Sequence, residues 1–533
     1  MWNGNWRDRV WSQLDRQWDM IVVGGGITGA GILRLASRLG LAALLVERRD
    51  FAWGTSSRST KLVHGGLRYL AQGQLGVTRE SVRERERLLR EGPGLVEPLG
   101  FLVPTFANQS PGKRSFAAGL AVYDLLAGKW DHRYYQRHDF RLLAPHVDSE
   151  NLQGGFGYYD AVTDDARLVV RVIREAVRAG ATALNYCAAK GLLLNADGRV
   201  GGVVLQDLHK GRTAEVRGDI VVNATGPWSD ELRADVGGKP RLRPSRGSHL
   251  VFPAWRLPVA QAVTLLHPTD NRPVFVLPWE GVTVAGTTDL DHDRPLDEEP
   301  QMTHEELDYL MTALRARFKS LDLRGSDAIA SFAGLRPLVG DESGDPSKVS
   351  RAHSVWEEKG LLTVAGGKLT TFRVMALDTL LAARRLRPDI PSIETDVPML
   401  DAGVEDPLAV DAISRAAQGR LSGYYGAEAA SLVGLARPGE LELIPGTPYR
   451  WAEVRWAAGQ EAVVHLEDLM LRRVRAGLLL PDGGASLLPR IRGIVQEELG
   501  WDEARWQEEE TAYMQLWEEA YSVPTRTKAG PCQ

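Results

Sequence analysis

The chain has 533 residues, 44% hydrophobic and 25% charged, which at roughly 100–200 residues per domain allows two to four domains with sizeable cores. Lys and Arg number 64 against 69 Asp and Glu, a net charge of −5. That balance argues against a dedicated nucleic-acid binder, and the composition excludes collagen-like, mucin-like and wholly disordered chains.

Tryptophan is in surplus, 15 against 13 Tyr and 11 Phe, and Trp2, Trp6, Trp11 and Trp18 crowd the first 18 residues. Their spacing predicts one face of a short helix, and two readings stay open. The helix either docks on the body or lies at a membrane interface with its indoles at headgroup level. The N-terminus lacks the basic-then-apolar order of a secretory signal. Cys187 and Cys532 match neither a metal-ligand nor a CxxC spacing, so no metal site is expected and a reducing compartment fits.

From Asp19 the order is strand, glycine turn, helix, strand. Met20–Val23 is a short apolar run, GGGITG follows over Gly24–Gly29, the helix ends at Gly40, and Leu41–Val46 closes on Glu47. Gly24 suits the tight turn, Gly26 the approach of a pyrophosphate, and Gly29 close helix–strand packing. Ile27 and Thr28 open the helix whose N-terminal N–H groups attract an anion, and Glu47 stands where a ribose diol needs an acceptor. This fingerprint alone does not separate FAD from NAD. Asp50–Leu70 is too polar and Gly-rich for an ordinary crossover helix, with hydroxyls at Thr55, Ser56, Ser57, Ser59 and Thr60.

Further along, a charged helix is predicted over Thr78–Glu91, and Pro93, Pro98 and Pro104 make Gly92–Pro111 read as a connection between layers. The longest apolar run, Phe116–Gly128, is too short to span a membrane and carries Asp124. Asp164–Asp165 cap a helix with a buried stripe, and short strands follow near 201–205 and 219–223. Runs such as His249–Phe252 and Val274–Leu277 predict an antiparallel sheet over about 245–290. Thr303 with Glu306 forms a capping box. Beyond about residue 395 the character becomes helical, and no internal repeat is visible.

Asp19–Leu70 closely resembles the respiratory FAD-dependent glycerol-3-phosphate dehydrogenases, within the D-amino-acid-oxidase-like flavoprotein superfamily. The support is spread over VNATGPWSD (222–230), SRGSHLVFP (245–253), FVLPWEG (275–281), VAGTTDLD (284–291), SFAGLRPLV (331–339) and VAGGKLTTFR (364–373). WAEVRWA and HLEDLMLRRVR carry it into the helical tail. The resemblance implies an α/β (α+β) flavoprotein: a Rossmann-like FAD domain interleaved with an antiparallel-sheet substrate domain, plus a C-terminal all-helical domain. FAD-binding parts are expected at about 18–90, 155–243 and 330–390, and substrate parts at about 91–154 and 244–329. A Trp-rich segment over 1–17 precedes them; the helical domain covers 396–522 and a flexible tail 523–533.

The same resemblance implies oxidation of sn-glycerol 3-phosphate at C2 to dihydroxyacetone phosphate, with noncovalent FAD reduced and electrons passed to a membrane quinone. It implies a cytoplasmic protein held peripherally on the inner face of the cell membrane, and leaves a homodimer open. An oxidase that uses oxygen, or an amine or amino-acid oxidase of the superfamily, stands as the alternative. Flavin oxidation of a secondary alcohol needs a base, a hold on the phosphate and stabilisation of reduced flavin. His249 is the first candidate for the C2 hydroxyl, as base or hydrogen-bond partner, and Arg336 either orients that hydroxyl or binds phosphate. Arg68 with Tyr69, Lys368 and Arg351 match the phosphate side, where a planar guanidinium suits phosphate oxygens. Around the cofactor, Ser56, Ser57, Lys61, Leu62 and His64 are expected to line flavin and pyrophosphate, and Ala224 and Gly226 the adenosine half. Asp289, Gly367, Lys368, Leu369 and Thr370 are expected to flank the ribityl chain or the ring.

Overall fold

The computed structural model describes residues 2, 4–71, 73–107, 112–340, 353–401 and 413–524. Its first strands are β1 (Trp18–Val23), β2 (Ala43–Val46), β3 (Leu62–Val63), β4 (Val96–Phe106), β5 (Arg133–Gln136) and β6 (Leu152–Thr163). Next come β7 (Thr182–Leu184), β8 (Cys187–Leu194), β9 (Val200–Asp207), β10 (Thr213–Asn223), β11 (Leu242–Pro253) and β12 (Ala262–Leu266). Then follow β13 (Pro273–Trp279), β14 (Val282–Gly286), β15 (Leu290–Asp291), β16 (Ala330–Val339), β17 (His353–Glu358) and β18 (Leu361–Gly366).

These strands form two sheets. The first has the order β17-β18-β10-β1-β2-β7, with β8 and β9 extending from β10 as an antiparallel ribbon. Its centre is parallel: β1 pairs with β10 and β2, β2 with β7, and β10 with β18. Val22, Leu44 and Val221 are buried there, as expected for strands covered on both faces. The helix Ile27–Arg38 packs between Asp165–Arg178 and Phe372–Leu386. A Cβ at Gly31 would come within 2.9 Å of the Phe372 ring, so only glycine permits that approach.

The second sheet runs β15-β11-β14-β13-β12-β4-β6-β3, with β16 on β11 and β5 on β6. It is antiparallel apart from the short β4–β12 pair. The α/β body with a second antiparallel sheet therefore stands as expected, and after β18 the described residues contain helices and no named strand.

Three regions differ from expectation. Gly92–Pro111 is no connection: residues 96–106 are β4, in the middle of the second sheet. Proline is tolerated because β12 pairs with β4 only at Phe101 and Leu102, leaving Pro98 and Pro104 on stretches that are edge-like on that side. β6 and β16, expected to lie mostly with the FAD-binding portion, belong to the second sheet, and β16 pairs with β11 along its whole length. The N-terminal tryptophans do not share one helix. The helix covers only Trp6–Trp11, because Trp18 is claimed by the first sheet, opposite Gly218. Trp2 is 4% exposed, its ring 5.4 Å from Phe51, and Trp18 is 1% exposed.

The predicted caps are present. The Asp164 side chain accepts from the Arg167 N–H, and Thr303 with Glu306 completes the reciprocal box at His304–Arg317.

Candidate active site

A cleft of about 440 Å³ opens at the C-terminal edge of the parallel strands, the usual ligand position in such sheets. It is lined by Gly24, Gly26, Ile27, Thr28, Glu47, Ser56, Ala224, Gly226, Gly367, Lys368 and Leu369, all expected at the cofactor. The glycines explain its shape. Gly24 has φ +114, and a Cβ on it would meet the Ala224 carbonyl oxygen at 2.5 Å. At Gly29 a Cβ would lie 1.9 Å from the Gly24 oxygen, so the helix can start this close to β1 only without one. The helix N-cap is Gly26, whose absent side chain leaves the helix start open to an anion. Glu47 is held by N–H groups of Gly25 (2.7 Å) and Arg49 (2.8 Å), and burial raises its pKa. A glycine cradle at a helix start with a carboxylate on the adjacent strand end fits a dinucleotide: phosphate on the backbone, ribose on the acid.

Trp53, Arg48, Cys187, Lys190 and Trp228 also line the cleft, without having been singled out as contacts from the sequence. Trp53 packs against Trp228 at 5.6 Å between ring centroids. Ser56 joins two elements: its Oγ accepts from the Ile27 N–H at 2.9 Å.

His249 sits in the middle of β11, flanked by Gly286 of β14 and Phe332 of β16. Its ring stacks on Phe332 at 4.6 Å, and a Cβ at Gly286 would come within 2.3 Å of it. The imidazole is 1% exposed, and burial, then Arg336, then Lys61, push its pKa well below the usual histidine value. It is therefore neutral near pH 7, and the same burial and neighbouring cations disfavour the imidazolium. Thr60 Oγ1 lies 2.9 Å from Nε2, whereas the buried Nδ1 has no partner among the described residues.

Arg336, on β16, donates to Thr287 Oγ1 at 2.9 Å and to Asp289 Oδ1 at 3.1 Å. Asp289 also accepts from Ser245 Oγ at 2.6 Å. Asp289 thus stands beside Arg336 and outside the cleft lining, where the sequence placed it along the cofactor. Lys368 donates to Ser81 Oγ at 2.7 Å and lies 3.9 Å over the Tyr69 ring. His64 stacks on the same tyrosine at 6.4 Å, and its carbonyl accepts from Thr370 Oγ1 at 3.3 Å. Lys368, Tyr69 and His64 therefore form one cluster at the end of the cleft that Lys368 lines. Arg68 belongs to the helix Leu67–Ala71, but its side chain lies outside the described residues, as does the whole of Arg351.

Three expected cofactor contacts face elsewhere. Leu62 is buried in β3, opposite Val162. Lys61 is wholly buried with Nζ 2.9 Å from both oxygens of Asp165 and 2.6 Å from the Ser57 oxygen. Burial and Arg475 push its pKa down to about 7 against the pull of Asp165. Ser57 is buried behind the cleft wall, its carbonyl turned to Lys61 and Arg475. The family resemblance put Lys61 at the flavin and pyrophosphate, and nothing local reveals its partner, 104 positions away.

A second set of charges ties the C-terminal helices to this segment. Asp50 accepts from Arg472 (2.6 Å) and from Arg473 (2.8 and 2.9 Å), all three fully buried. Burial alone would raise the Asp50 pKa, but the two guanidinium groups outweigh it and hold it down to about 2. The RRVR of the tail carried this signal in the sequence, without indicating a partner.

Comparison with known proteins agrees with the geometry. A family described as FAD dependent oxidoreductase matches residues 19–377, and the C-terminal domain of alpha-glycerophosphate oxidase matches 383–506. Glycerol-3-phosphate dehydrogenase 2 of Mycobacterium tuberculosis is 38% identical over 526 residues, 95% of this chain and 89% of that one. The aerobic glycerol-3-phosphate dehydrogenase of Staphylococcus aureus is 41% identical over 380 residues, 70% of this chain and 68% of that one. Among solved structures, the glycerol-3-phosphate dehydrogenase from Bacillus halodurans complexed with FAD superimposes with a TM-score of 0.76 at 30% identity, covering 97% of each chain. The L-alpha-glycerophosphate oxidase from Mycoplasma pneumoniae shares the fold, with a TM-score of 0.58 at 17% identity over 72% of this chain and 98% of that one.

Proposed function

The chain belongs to the FAD-dependent glycerol-3-phosphate dehydrogenase family, and from that premise we propose how its residues oxidise glycerol 3-phosphate and where the electrons go. FAD, when bound, supplies the acceptor for the hydride leaving C2. The cradle at Gly24–Gly29 and Glu47 would hold it, without a covalent bond.

The observation that carries the mechanism is a buried, neutral His249 whose Nδ1 has no partner among the described residues, with Arg336 as its cationic neighbour. His249 takes the proton of the C2 hydroxyl. Arg336, fixed by Asp289 and Thr287, lends positive charge to the oxygen as that proton leaves. Lys368, with Tyr69 and Arg68, binds the phosphate, and Arg351 adds a further cation on that side. Lys368 also stabilises the extra negative charge of the reduced cofactor. Anaerobic titration tests this reading: glycerol 3-phosphate bleaches the flavin absorbance, while glycerol and glycine do not. Bleaching by glycine alone would assign the site to amino-acid oxidation.

The electron acceptor is a membrane quinone, which requires the protein to meet a membrane without crossing it. Among the described residues no helix is long and apolar enough to span one. The N-terminal tryptophans are poorly placed for lipid, since Trp2 and Trp18 are buried. The helix Lys113–Ala127 is better placed: Val122 and Leu125 are exposed on one face, and Trp130 just beyond it is 71% exposed. Lys113, Arg114 and Lys129 flank them, the composition of an interfacial helix. Co-sedimentation with anionic vesicles should fall for Leu125→Asp with Trp130→Ser and persist when residues 1–17 are deleted. Oxygen uptake matching substrate turnover without added quinone would replace the quinone reading by the oxidase one.

A further inference from the structure

The turn Ser57–Lys61 is wrapped around one carboxylate, and Arg475 of the C-terminal helical region reaches both that carboxylate and the turn. Asp165 Oδ2 accepts from the Ser59 N–H (3.0 Å) and from Ser59 Oγ (2.7 Å). Both of its oxygens accept from Lys61 Nζ at 2.9 Å, and Oδ1 accepts from the Ala166 N–H. Arg475 Nη2 donates to the same two acceptors as Lys61, Asp165 Oδ1 and the Ser57 carbonyl, both at 3.0 Å. Arg475 is wholly buried, with its Nη1 donating to the Leu471 carbonyl at 2.8 Å. Lys61 has φ +65, a conformation an L residue keeps only when its surroundings impose it. Between Ser59 and Lys61 stands Thr60, the hydrogen-bond partner of His249.

We propose that Thr60 and Arg475 are the two ends of one positioning device for the oxidation. Arg475 clamps the turn through Asp165 and the Ser57 carbonyl, and the clamped turn presents the Thr60 hydroxyl to His249 Nε2. The Thr60 hydroxyl holds the ring through Nε2; in the tautomer whose Nε2–H donates to Thr60, Nδ1 keeps its lone pair for the substrate hydroxyl. The C-terminal helices thereby take part in the chemistry without touching substrate. The inference rests on His249 as the base.

The test uses purified holoenzyme and an artificial electron acceptor, with FAD content and Tm recorded for every variant. Thr60→Val should lower kcat about tenfold, the rate equivalent of one hydrogen bond, with KM for glycerol 3-phosphate within about twofold and FAD retained; Thr60→Ser should restore it. Arg475→Lys should lower kcat by a similar factor. The Thr60→Val, Arg475→Lys double variant should be no slower than the worse single variant, because both act through one contact. If Arg475→Lys fails to hold FAD, Ser59→Ala loosens the same carboxylate from the turn side and carries the same expectations. An unchanged kcat in Thr60→Val, or losses that multiply in the double variant, would overturn the proposal. His249→Ala separates the two levels: if it leaves kcat intact the mechanism itself is wrong, whereas loss there with a normal Thr60→Val sinks only the device.

Discussion

The cofactor cleft and the buried charge seam at Asp50 share one segment, with Glu47 and Arg48 before Asp50 and Trp53 after it lining the cleft, yet they are built on opposite principles. The cleft is made of backbone: glycines bring N–H groups and helix start together, and the chemistry is supplied by what binds. The seam is made of side chains: Asp50, Arg472, Arg473 and Asp468 are buried and paired with one another. The cleft's shape is backbone packing around its glycines, which a single added Cβ disturbs. A buried charge cluster cannot lose one member without stranding the rest.

Breaking the seam should therefore have the largest effect. Arg473→Met leaves Asp50 under-compensated and should cost about 3–5 kcal/mol of stability, read as a lowered Tm; adding Asp50→Leu should recover much of it. Because the Asp50 pKa is depressed from 3.8 to about 2, its contribution is complete above 3.8 and is lost as pH falls through about 2. Acid unfolding in the Asp50→Asn variant should accordingly lose its dependence on that window. In the cleft, Gly29→Ala forces a Cβ against the Gly24 oxygen and should cost about 1–3 kcal/mol of packing while stripping FAD, measured as the flavin-to-protein ratio. Glu47→Gln should be milder, weakening FAD about tenfold with kcat unchanged at saturating cofactor.

The smallest effect concerns pH. His249 is held neutral well below its ordinary 6.5, so the acid limb of kcat/KM should lie below that value. Arg336→Gln removes a charge that disfavours the imidazolium, and should move the limb upward as well as slowing turnover. The same depression means the unfolded chain takes up a proton below pH 6.5 that the folded one refuses, so stability from this group falls as pH drops.

The contrast also governs what could be read from the residues. Gly24, Gly26 and Gly29 announce the cleft because only glycine meets that local geometry, and Asp164 and Thr303 announce their helices because caps act within three residues. Local signals misled where tertiary pairing overrode them. Pro98 and Pro104 argue against a strand, yet β4 is open beside them; the tryptophan spacing argues for one helix, yet Trp18 is taken by a sheet. The seam was illegible for a plainer reason: Arg472 and Asp50 are 422 positions apart, and nothing near either names the other. Lys61 and Asp289 stand among cofactor motifs while their side chains serve partners outside the cleft.

The order of strands in the first sheet has a consequence for synthesis. β1 is complete by residue 23 and its neighbour β2 by residue 46, but the parallel neighbour on the other side, β10, ends at 223 and the next, β18, at 366. A chain emerging from the ribosome thus carries its glycine turn long before the far wall of the cleft, with Gly367 and Lys368, exists. Arg473 and Arg475 arrive later still. FAD capture is consequently a late event, and the nascent first strand, paired on one side by β2, must wait with its other edge open until β10 is made at residue 223.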